Sequence, residues 1–153
     1  MAEYKALIRW AHTDGIFAKG TFSREHTWTF DGGVTIPASS SPSVVPVPWS
    51  NDACVDPEEA FVAAIASCHM LSYLNVARLA GFHVISYSDD AVGRMAKNDR
   101  GGMWVSVVVL TPHPVYLESG TPTAAEEAHL HEVAHAGCFI ANSVKTDIVV
   151  ASQ

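Results

Sequence analysis

The order of hydrophobic patterns and turn signals in this 153-residue chain predicts an α+β fold in a single domain, residues 1–153. Short β-rich segments occupy much of the first 37 residues and return in the second half. Two segments with helix caps and no internal breaker predict helices, one before and one after the later strands. The predicted order is strands, helix, strands, helix, strand, with antiparallel sheets packed around a buried central helix.

The composition excludes several classes of function. Hydrophobic residues make up 48% of the chain and charged residues 16%, which is typical of a globular protein. The formal net charge is -7 and the chain has no run of Lys or Arg, so we expect no nucleic-acid partner and no membrane partner. Three cysteines and no N-terminal apolar secretion segment favour a reducing compartment, which predicts a cytoplasmic protein.

The N-terminal third predicts a meander of strands followed by a long loop. Residues 4–11 alternate between large apolar and other residues, and His26–Phe30 is a second β-rich segment. The sequence Asp31-Gly32-Gly33 is a turn signal, so residues 34–37 are predicted to return as a third strand. Residues 38–55 carry Pro and Ser without periodicity, which indicates a long ordered loop.

A first helix is predicted from residue 56 to residue 80. Asp56 is a good N-cap with Glu59 in the capping-box position, and Gly81 supplies the stop. No formally charged residue occurs between residues 60 and 77, and apolar groups surround the helix. Such a helix must be buried on most sides, and a chain of this size has difficulty surrounding it completely. We therefore expect a homodimer with a large apolar interface.

The second half predicts a hairpin, a helix and a final strand. Residues 84–95 and 103–111 are β-rich and are joined by a strong turn signal. Thr123 begins a capping box, and the helix it starts is predicted to run to about Asn142. Residues 146–151 are predicted to close the fold as the last strand.

Two of the three cysteines lie in helix-like segments 70 positions apart. Cys68 follows an apolar run of the first helix, and Cys138 follows His135-Ala136-Gly137. A thiol in an apolar helix, with a second thiol to meet it, is the minimum needed to reduce a peroxide through a disulfide. A free Cys is also among the most buried residue types, so either thiol alone could simply fill space. Cys54 is predicted to be a passive loop thiol.

Four segments around the two cysteines form a recognisable set of motifs. They are Asp56-Pro57-Glu58-Glu59 leading into Ala63-Ala64-Ile65-Ala66-Ser67-Cys68, Ala80-Gly81-Phe82, Gly137-Cys138 and Asn142-Ser143-Val144-Lys145. These motifs resemble those of the OsmC/Ohr family, the osmotically inducible protein C and organic hydroperoxide resistance proteins. The resemblance covers nearly the whole chain. It implies an OsmC-like fold, an intertwined homodimer with two active sites at the subunit interface, and thiol peroxidase activity on organic hydroperoxides.

The resemblance also implies residue roles. Cys68 would be the peroxidatic nucleophile and Cys138 the resolving thiol, with an external dithiol as reductant and neither a metal nor an organic cofactor. Glu58 and an Arg from the N-terminal strands would assist, and Arg24 is favoured over Arg9. A guanidinium would favour the thiolate, and a carboxylate would hold that guanidinium in place. Ten residues of straight helix separate Glu58 from Cys68 by about 15 Å, so we expect Glu58 to act across the dimer interface.

Two alternatives remain open from the sequence. The first is a non-enzymatic carrier of an apolar ligand, or a redox sensor, on the same fold. The second and weaker alternative is a zinc metalloprotease, because His131-Glu132-Val133-Ala134-His135 reads H-E-x-x-H. A third ligand of the usual kind is missing downstream, which favours polar residues on the wetter side of an amphipathic helix. His69, next to Cys68, is predicted to satisfy a buried contact rather than tune the thiol.

Overall fold

The computed structural model describes residues 1–151 and confirms the α+β class. Within these residues the chain forms eight β-strands, two α-helices and three short 3-10 turns. It divides into two compact units, one of residues 1–60 and the other from residue 61 onward. The single domain predicted for residues 1–153 stays a prediction.

The first unit contains a three-stranded antiparallel sheet. Its strands are β1 (Ala6–Arg9), β2 (His26–Phe30) and β3 (Thr35–Ala38), and β2 lies in the middle. The turn between β2 and β3 contains Gly33 at φ 87°, a conformation that glycine adopts at low cost. The three predicted N-terminal strands are therefore confirmed within one or two residues of their expected ends.

Hydrogen bonds join the start of the loop after β3 to its later residues. The main-chain N–H of Ser39 donates to the carbonyl of Val55 at 3.0 Å, and the N–H of Asn51 donates to the Ser39 hydroxyl at 3.0 Å. Ser39 and Ser50 are buried. These bonds hold a segment that lacks periodic structure, which confirms the prediction of an ordered loop.

Gly15 is the position of the first unit where a side chain is least tolerable. Its φ is 77°, and an added Cβ would lie 1.7 Å from the carbonyl oxygen of Thr21. Gly20 has a similar φ of 73° but open space around its Cα. We expect Gly20→Ala to lower the free energy of unfolding by about 1–2 kcal/mol, and Gly15→Ala to lower it by at least about twice as much because the clash adds to the strain. Urea denaturation of both variants tests this, and equal losses would contradict the clash.

Helix α1 (Pro57–Leu79) begins and ends where the sequence predicts. Asp56 Oδ1 accepts a hydrogen bond from the Glu59 N–H at 2.8 Å, and Glu59 Oε2 accepts one from the Asp56 N–H at 3.2 Å. This reciprocal pair is the predicted capping box. Gly81 stops the helix with a φ of 89°.

Only one stripe of α1 is buried within the chain. The stripe consists of residues spaced four apart, Ile65, His69, Tyr73 and Ala77. Leu71 is 62% exposed and Leu79 is 69% exposed. The expected burial on most sides is therefore incomplete in the single chain. By length and composition α1 could cross a membrane, with a mean hydropathy of 1.5, but the core helix of a soluble protein passes the same test.

The second unit contains two sheets, and the chain passes from one sheet to the other and back. The strands are β4 (Val84–Asp89), β5 (Val92–Lys97), β6 (Met103–Leu110), β7 (Pro112–Tyr116) and β8 (Asp147–Val150). Strands β4 and β7 pair with each other, and β5, β6 and β8 form the other sheet. The predicted hairpin is β5–β6, whereas the predicted stretch 84–95 is two strands in different sheets.

Two expectations about these strands need correction. Strand β8 pairs with β6 in parallel, so not every pair is antiparallel as predicted. Strand β7 was not predicted, because Pro112 and Pro114 cannot donate to a strand ladder and argue against a strand in the sequence. The Asp89 carboxylate accepts from the Thr111 N–H at 2.7 Å, which ties the two corners where the chain changes sheets.

Helix α2 (Ala124–Gly137) packs on α1 in the core of the second unit. The Thr123 and Glu126 side chains form the predicted capping box. The helix ends at Gly137 rather than near Asn142, so its predicted end is wrong. Two clusters form the core, one of Tyr73, Ala77, Leu130 and Ala134 and the other of Ile65, Val108 and Leu110.

Candidate active site

The structure brings Cys68 and Cys138 together in the second unit. The thiol of Cys68 is close enough to that of Cys138 to influence its ionisation, and both cysteines are free. The main-chain N–H of Ile140 lies 3.5 Å from Cys68 Sγ, and the N–H of Ala141 lies 3.5 Å from Cys138 Sγ. Two thiols and two main-chain donors therefore share one small region at the end of α2.

The turn after α2 is what places Cys138 beside the middle of α1. Cys138 has extended backbone (φ -75°, ψ 117°), which ends the helix. The Asn142 side-chain amide donates to the carbonyl of Ala136 at 2.9 Å and to the carbonyl of Cys138 at 3.0 Å. The Ser143 hydroxyl donates to the carbonyl of Phe139 at 2.7 Å. These bonds satisfy carbonyls that a continuing helix would have used, and they fix the direction of both N–H donors.

The two thiols differ in exposure. Cys68 is half-buried, whereas Cys138 is 1% exposed. Burial first, and then the hydrogen bond from Cys68, raise the pKa of the Cys138 thiol above its ordinary value of 9.0. Cys138 is therefore a protonated thiol at neutral pH, and Cys68 is the sulfur that a molecule from solution reaches first.

The other predicted site residues, Arg24 and Glu58, belong to the first unit. The Arg24 guanidinium lies 3.6 Å from the centroid of the Phe22 ring and donates to the carbonyls of Gly20, at 2.8 Å, and Phe22. Glu58 is in the first turn of α1, and that helix is unbroken as far as Cys68. Within residues 1–151 no ion pair joins Arg24 to Glu58 of the same chain. The roles of both residues at the thiols stay predictions.

Cys54, the third cysteine, lies in the first unit and has no part in the thiol pair. It is free and partly buried. Burial, and then the carboxylate of Glu25, raise the pKa of its thiol. A protonated thiol is a poor nucleophile, which agrees with the passive role predicted for it.

His69 and His131 form a buried imidazole pair that the sequence indicates only in part. His69 Nε2 and His131 Nδ1 are 3.0 Å apart, and the rings stack with an interplanar angle of 10°. The Tyr73 ring stacks on the His131 ring, with the two ring centroids 4.2 Å apart. The buried contact expected for His69 is confirmed. The expectation that His131 lies on the wetter side of α2 is wrong, since it is 8% exposed.

The geometry of the H-E-x-x-H segment does not fit a metalloprotease. His131 Nδ1 is taken by His69, and the Glu132 side chain is 79% exposed and lies 3.6 Å from His129. Among residues 1–151, no group of three or more His, Cys, Asp or Glu side chains is arranged to hold a metal ion. A zinc site with Glu132 as general base would need a third ligand and an inward-facing carboxylate.

The imidazole pair predicts acid sensitivity. Burial lowers the pKa of both His69 and His131 from 6.5 to about 4. As pH falls from 6.5 towards 4, the unfolded chain takes up protons that the folded chain refuses, so the free energy of unfolding decreases. Each His contributes a slope of up to about 1.4 kcal/mol per pH unit. Denaturation at several pH values tests this. We expect His131→Gln to flatten the slope and the exposed His129→Gln to leave it unchanged, and a wild type without a slope would contradict it.

Comparison with known proteins identifies a matching family and a closely similar solved structure. Residues 50–153 match the family described as OsmC-like protein. An OsmC-like protein of unknown function from Vibrio cholerae O1 biovar eltor str. N16961 is 49% identical over 99% of each chain, with a TM-score of 0.95. No curated protein matches the chain.

Two organic hydroperoxide resistance proteins share the fold at lower identity. The one from Elizabethkingia anophelis is 19% identical, with 98% of this chain and 93% of that chain covered and a TM-score of 0.72. OhrB of Bacillus subtilis is 17% identical, with 97% and 96% covered and a TM-score of 0.67. The family match spans more than half of the sequence, and the Vibrio cholerae relative is aligned almost end to end. The chain therefore belongs to the OsmC-like protein family.

Proposed function

We propose that the protein is a cysteine-based peroxidase that reduces organic hydroperoxides to alcohols. The observation that carries the proposal is the contact between the half-buried Cys68 thiol and the buried Cys138 thiol. A reachable sulfur with a second sulfur beside it can be oxidised and then trapped as a disulfide. Membership of a family that includes organic hydroperoxide resistance proteins supports the substrate class.

The proposed reaction has two balanced steps. The Cys68 thiolate attacks the terminal oxygen of R–O–OH, the O–O bond breaks, and the alkoxide leaves as R–OH after taking up a proton. Cys68 is then a sulfenic acid. The Cys138 thiol attacks that sulfur and releases water, so one hydroperoxide and two thiols give one alcohol, one water and one disulfide. An external dithiol restores both thiols by exchange.

A main-chain N–H group of the second unit can stabilise the negative charge of a Cys68 thiolate. The Ile140 N–H, 3.5 Å from Cys68 Sγ, would strengthen its bond as the sulfur becomes a thiolate. We assign the further positive charge to Arg24, whose guanidinium is already held by main-chain carbonyls and the Phe22 ring. Glu58 would orient that guanidinium from the partner subunit, since 15 Å of helix, about ten residues, separates it from Cys68 of its own chain.

The proposal includes a homodimer in the cytoplasm. Exposed apolar side chains are present in both units, among them Ile8, Trp10, Leu71 and Leu79. Large exposed apolar surfaces on a soluble chain mark interaction sites, and a second copy would cover the open face of α1. A reducing compartment keeps Cys68 and Cys138 as thiols between turnovers.

A thiol titration tests the function. The reduced protein has three thiols per chain, which a chromogenic disulfide reagent counts after denaturation. One equivalent of cumene hydroperoxide, added without reductant, should lower the count from three to one, because Cys68 and Cys138 become a disulfide and Cys54 does not. The matched control is cumyl alcohol, which has the same carbon skeleton without the O–O bond and should leave three thiols.

Other outcomes separate the alternatives. Three remaining thiols after cumene hydroperoxide would contradict the peroxidase and favour the carrier. Loss of two thiols without any turnover in excess dithiol would favour the redox sensor, since a sensor is oxidised once and then read by a partner.

A further inference from the structure

A pocket of about 450 Å³ lies in the second unit beside helix α2, and neither Cys68 nor Cys138 lines it. Its walls are largely apolar, formed by side chains from α2, β8 and the start of β7. The residues that matter here are Pro112, Ala128, Ile148 and Val150. A concave apolar space with a few polar groups has the character of a small-molecule site.

Four polar side chains of α2 line this pocket, and three of them lie at four-residue spacing. These three are Glu127, His131 and His135, which share one face of the helix, and the fourth is Glu132. Oxygen Oε1 of Glu127 is 4.0 Å from Nε2 of His131. His135 Nδ1 is buried and makes no hydrogen bond. The face therefore offers a carboxylate and imidazole nitrogens with unused bonding capacity.

Glu127 lacks a permanent counter-ion. Its side chain is 26% exposed, and burial raises the pKa of the carboxyl. The charge on Glu127 acts on the nearby Tyr73 and Tyr116 hydroxyls, whose pKa values it helps to raise, and its ion-pair partner within residues 1–151 is His131, not a Lys or Arg. Burial keeps the pKa of His131 at about 4, so that imidazole is neutral at pH 7. A half-buried carboxylate against apolar walls favours a cation.

The His69 contact determines which atom His131 presents to Glu127. Nδ1 of His131 is bonded to His69 Nε2, so Nε2 is the atom on the Glu127 side. Binding of an ammonium would select the tautomer in which His131 Nδ1–H donates to His69 Nε2, because Nε2 is then an acceptor like the carboxylate oxygen. Two acceptors 4.0 Å apart leave room for one nitrogen that donates a bond of about 2.9 Å to each.

We propose that this pocket binds a primary ammonium carried on a small apolar body, such as an aryl or alkyl amine. The ammonium donates to Glu127 Oε1 and His131 Nε2, and the apolar body lies against the walls that Ile148 and Val150 help to form. An anion is disfavoured because Glu127 and Glu132 both line the pocket and none of its lining residues is a Lys or Arg. This site is independent of the peroxidase proposal, since it uses neither thiol.

The test is a titration of the full chain with three probes of similar size. Binding is monitored through the NMR signals of the His131 and His135 imidazoles. The probes are benzylamine, benzyl alcohol and benzoate. We expect saturable shifts with benzylamine, and at least about tenfold weaker binding of the alcohol, because a hydrogen bond to a charged group is lost. Benzoate should bind more weakly still.

Two pairs of variants identify the determinants. Glu127→Gln keeps the shape and removes the charge, and should weaken benzylamine about tenfold or more while leaving benzyl alcohol unchanged. Asp99→Asn removes the same charge from an exposed turn outside the pocket lining and should change affinity less than about threefold. Ala128→Leu should block all probes by filling the pocket, whereas Ala125→Leu, on α2 outside the lining, should not.

Several results would overturn the proposal. They are no saturable binding of benzylamine, equal or tighter binding of benzyl alcohol or benzoate, and unchanged benzylamine affinity in Glu127→Gln. Circular dichroism confirms that each variant is folded. If Glu127→Gln does not fold, the comparison of Ala128→Leu with Ala125→Leu and the ranking of the three probes still decide the outcome.

Discussion

Replacement of Cys68 by serine is expected to abolish hydroperoxide turnover, with a loss of at least about a thousandfold. A serine hydroxyl is not ionised at neutral pH, and it cannot carry the sulfenic acid through which the O–O bond is cleaved. The measurement is consumption of cumene hydroperoxide in excess dithiol, followed by loss of the peroxide. Circular dichroism on the same sample establishes that the fold is intact.

Cys54→Ser is the matched control for this result. It removes a thiol from the first unit, outside the pair formed by Cys68 and Cys138. We expect it to keep turnover within about twofold of wild type, because Cys54 lies outside the thiol pair and serine is close to cysteine in size. Equal rates in wild type and Cys68→Ser would remove the peroxidase assignment, whatever Cys54→Ser does.

Replacement of Cys138 by serine is expected to allow one oxidation and then stop turnover. Cys68 still attacks the hydroperoxide, but no second thiol is in contact to condense with the sulfenic acid. One equivalent of cumene hydroperoxide should remove one thiol per chain instead of two. A dimedone adduct on Cys68, detected by mass spectrometry, should identify the sulfenic acid.

The wild-type protein provides the comparison for Cys138→Ser. Its oxidised form should contain a peptide linked through Cys68 and Cys138, with no dimedone adduct. Linkage of Cys68 to Cys54 in the oxidised protein would show that Cys54, and not Cys138, is the resolving thiol. Unlinked cysteines in a sample that has consumed peroxide would contradict the disulfide mechanism as a whole.

Local features of the fold could be predicted from the sequence because their causes are local. The capping boxes at Asp56 and Thr123 each depend on residues three positions apart, and both form as expected. Gly33 and Gly81 likewise stop an element through their own φ angles. The strand His26–Phe30 is confirmed at both ends.

Features that depend on distant partners could not be predicted. Strand β7 exists because β4 offers it a partner, which outweighs two prolines in its own sequence. The parallel pairing of β8 with β6 depends on where the turn after α2 delivers the chain. That turn is held by Asn142, whose bonds to main-chain carbonyls end the helix early and leave no periodic signal.

The site divides in the same way. The cysteine pair could be anticipated from two segments with a family resemblance, and the structure brings those thiols together. The contact of His69 with His131 crosses 62 positions of sequence, and His131 was expected on the wetter side of its helix. The four-residue spacing of His69 from Ile65 and Tyr73 is the signal that could have placed it in the core.

The two amides after Phe139 give the site an internal spectroscopic reporter. Each of two consecutive peptide protons, on Ile140 and Ala141, points at a different sulfur. Ionisation or oxygenation of one sulfur should therefore move one proton resonance more than its neighbour, and bridging of the sulfurs should move both. The oxidation state of the two sulfurs can thus be followed by NMR from these two amide protons, without an attached dye.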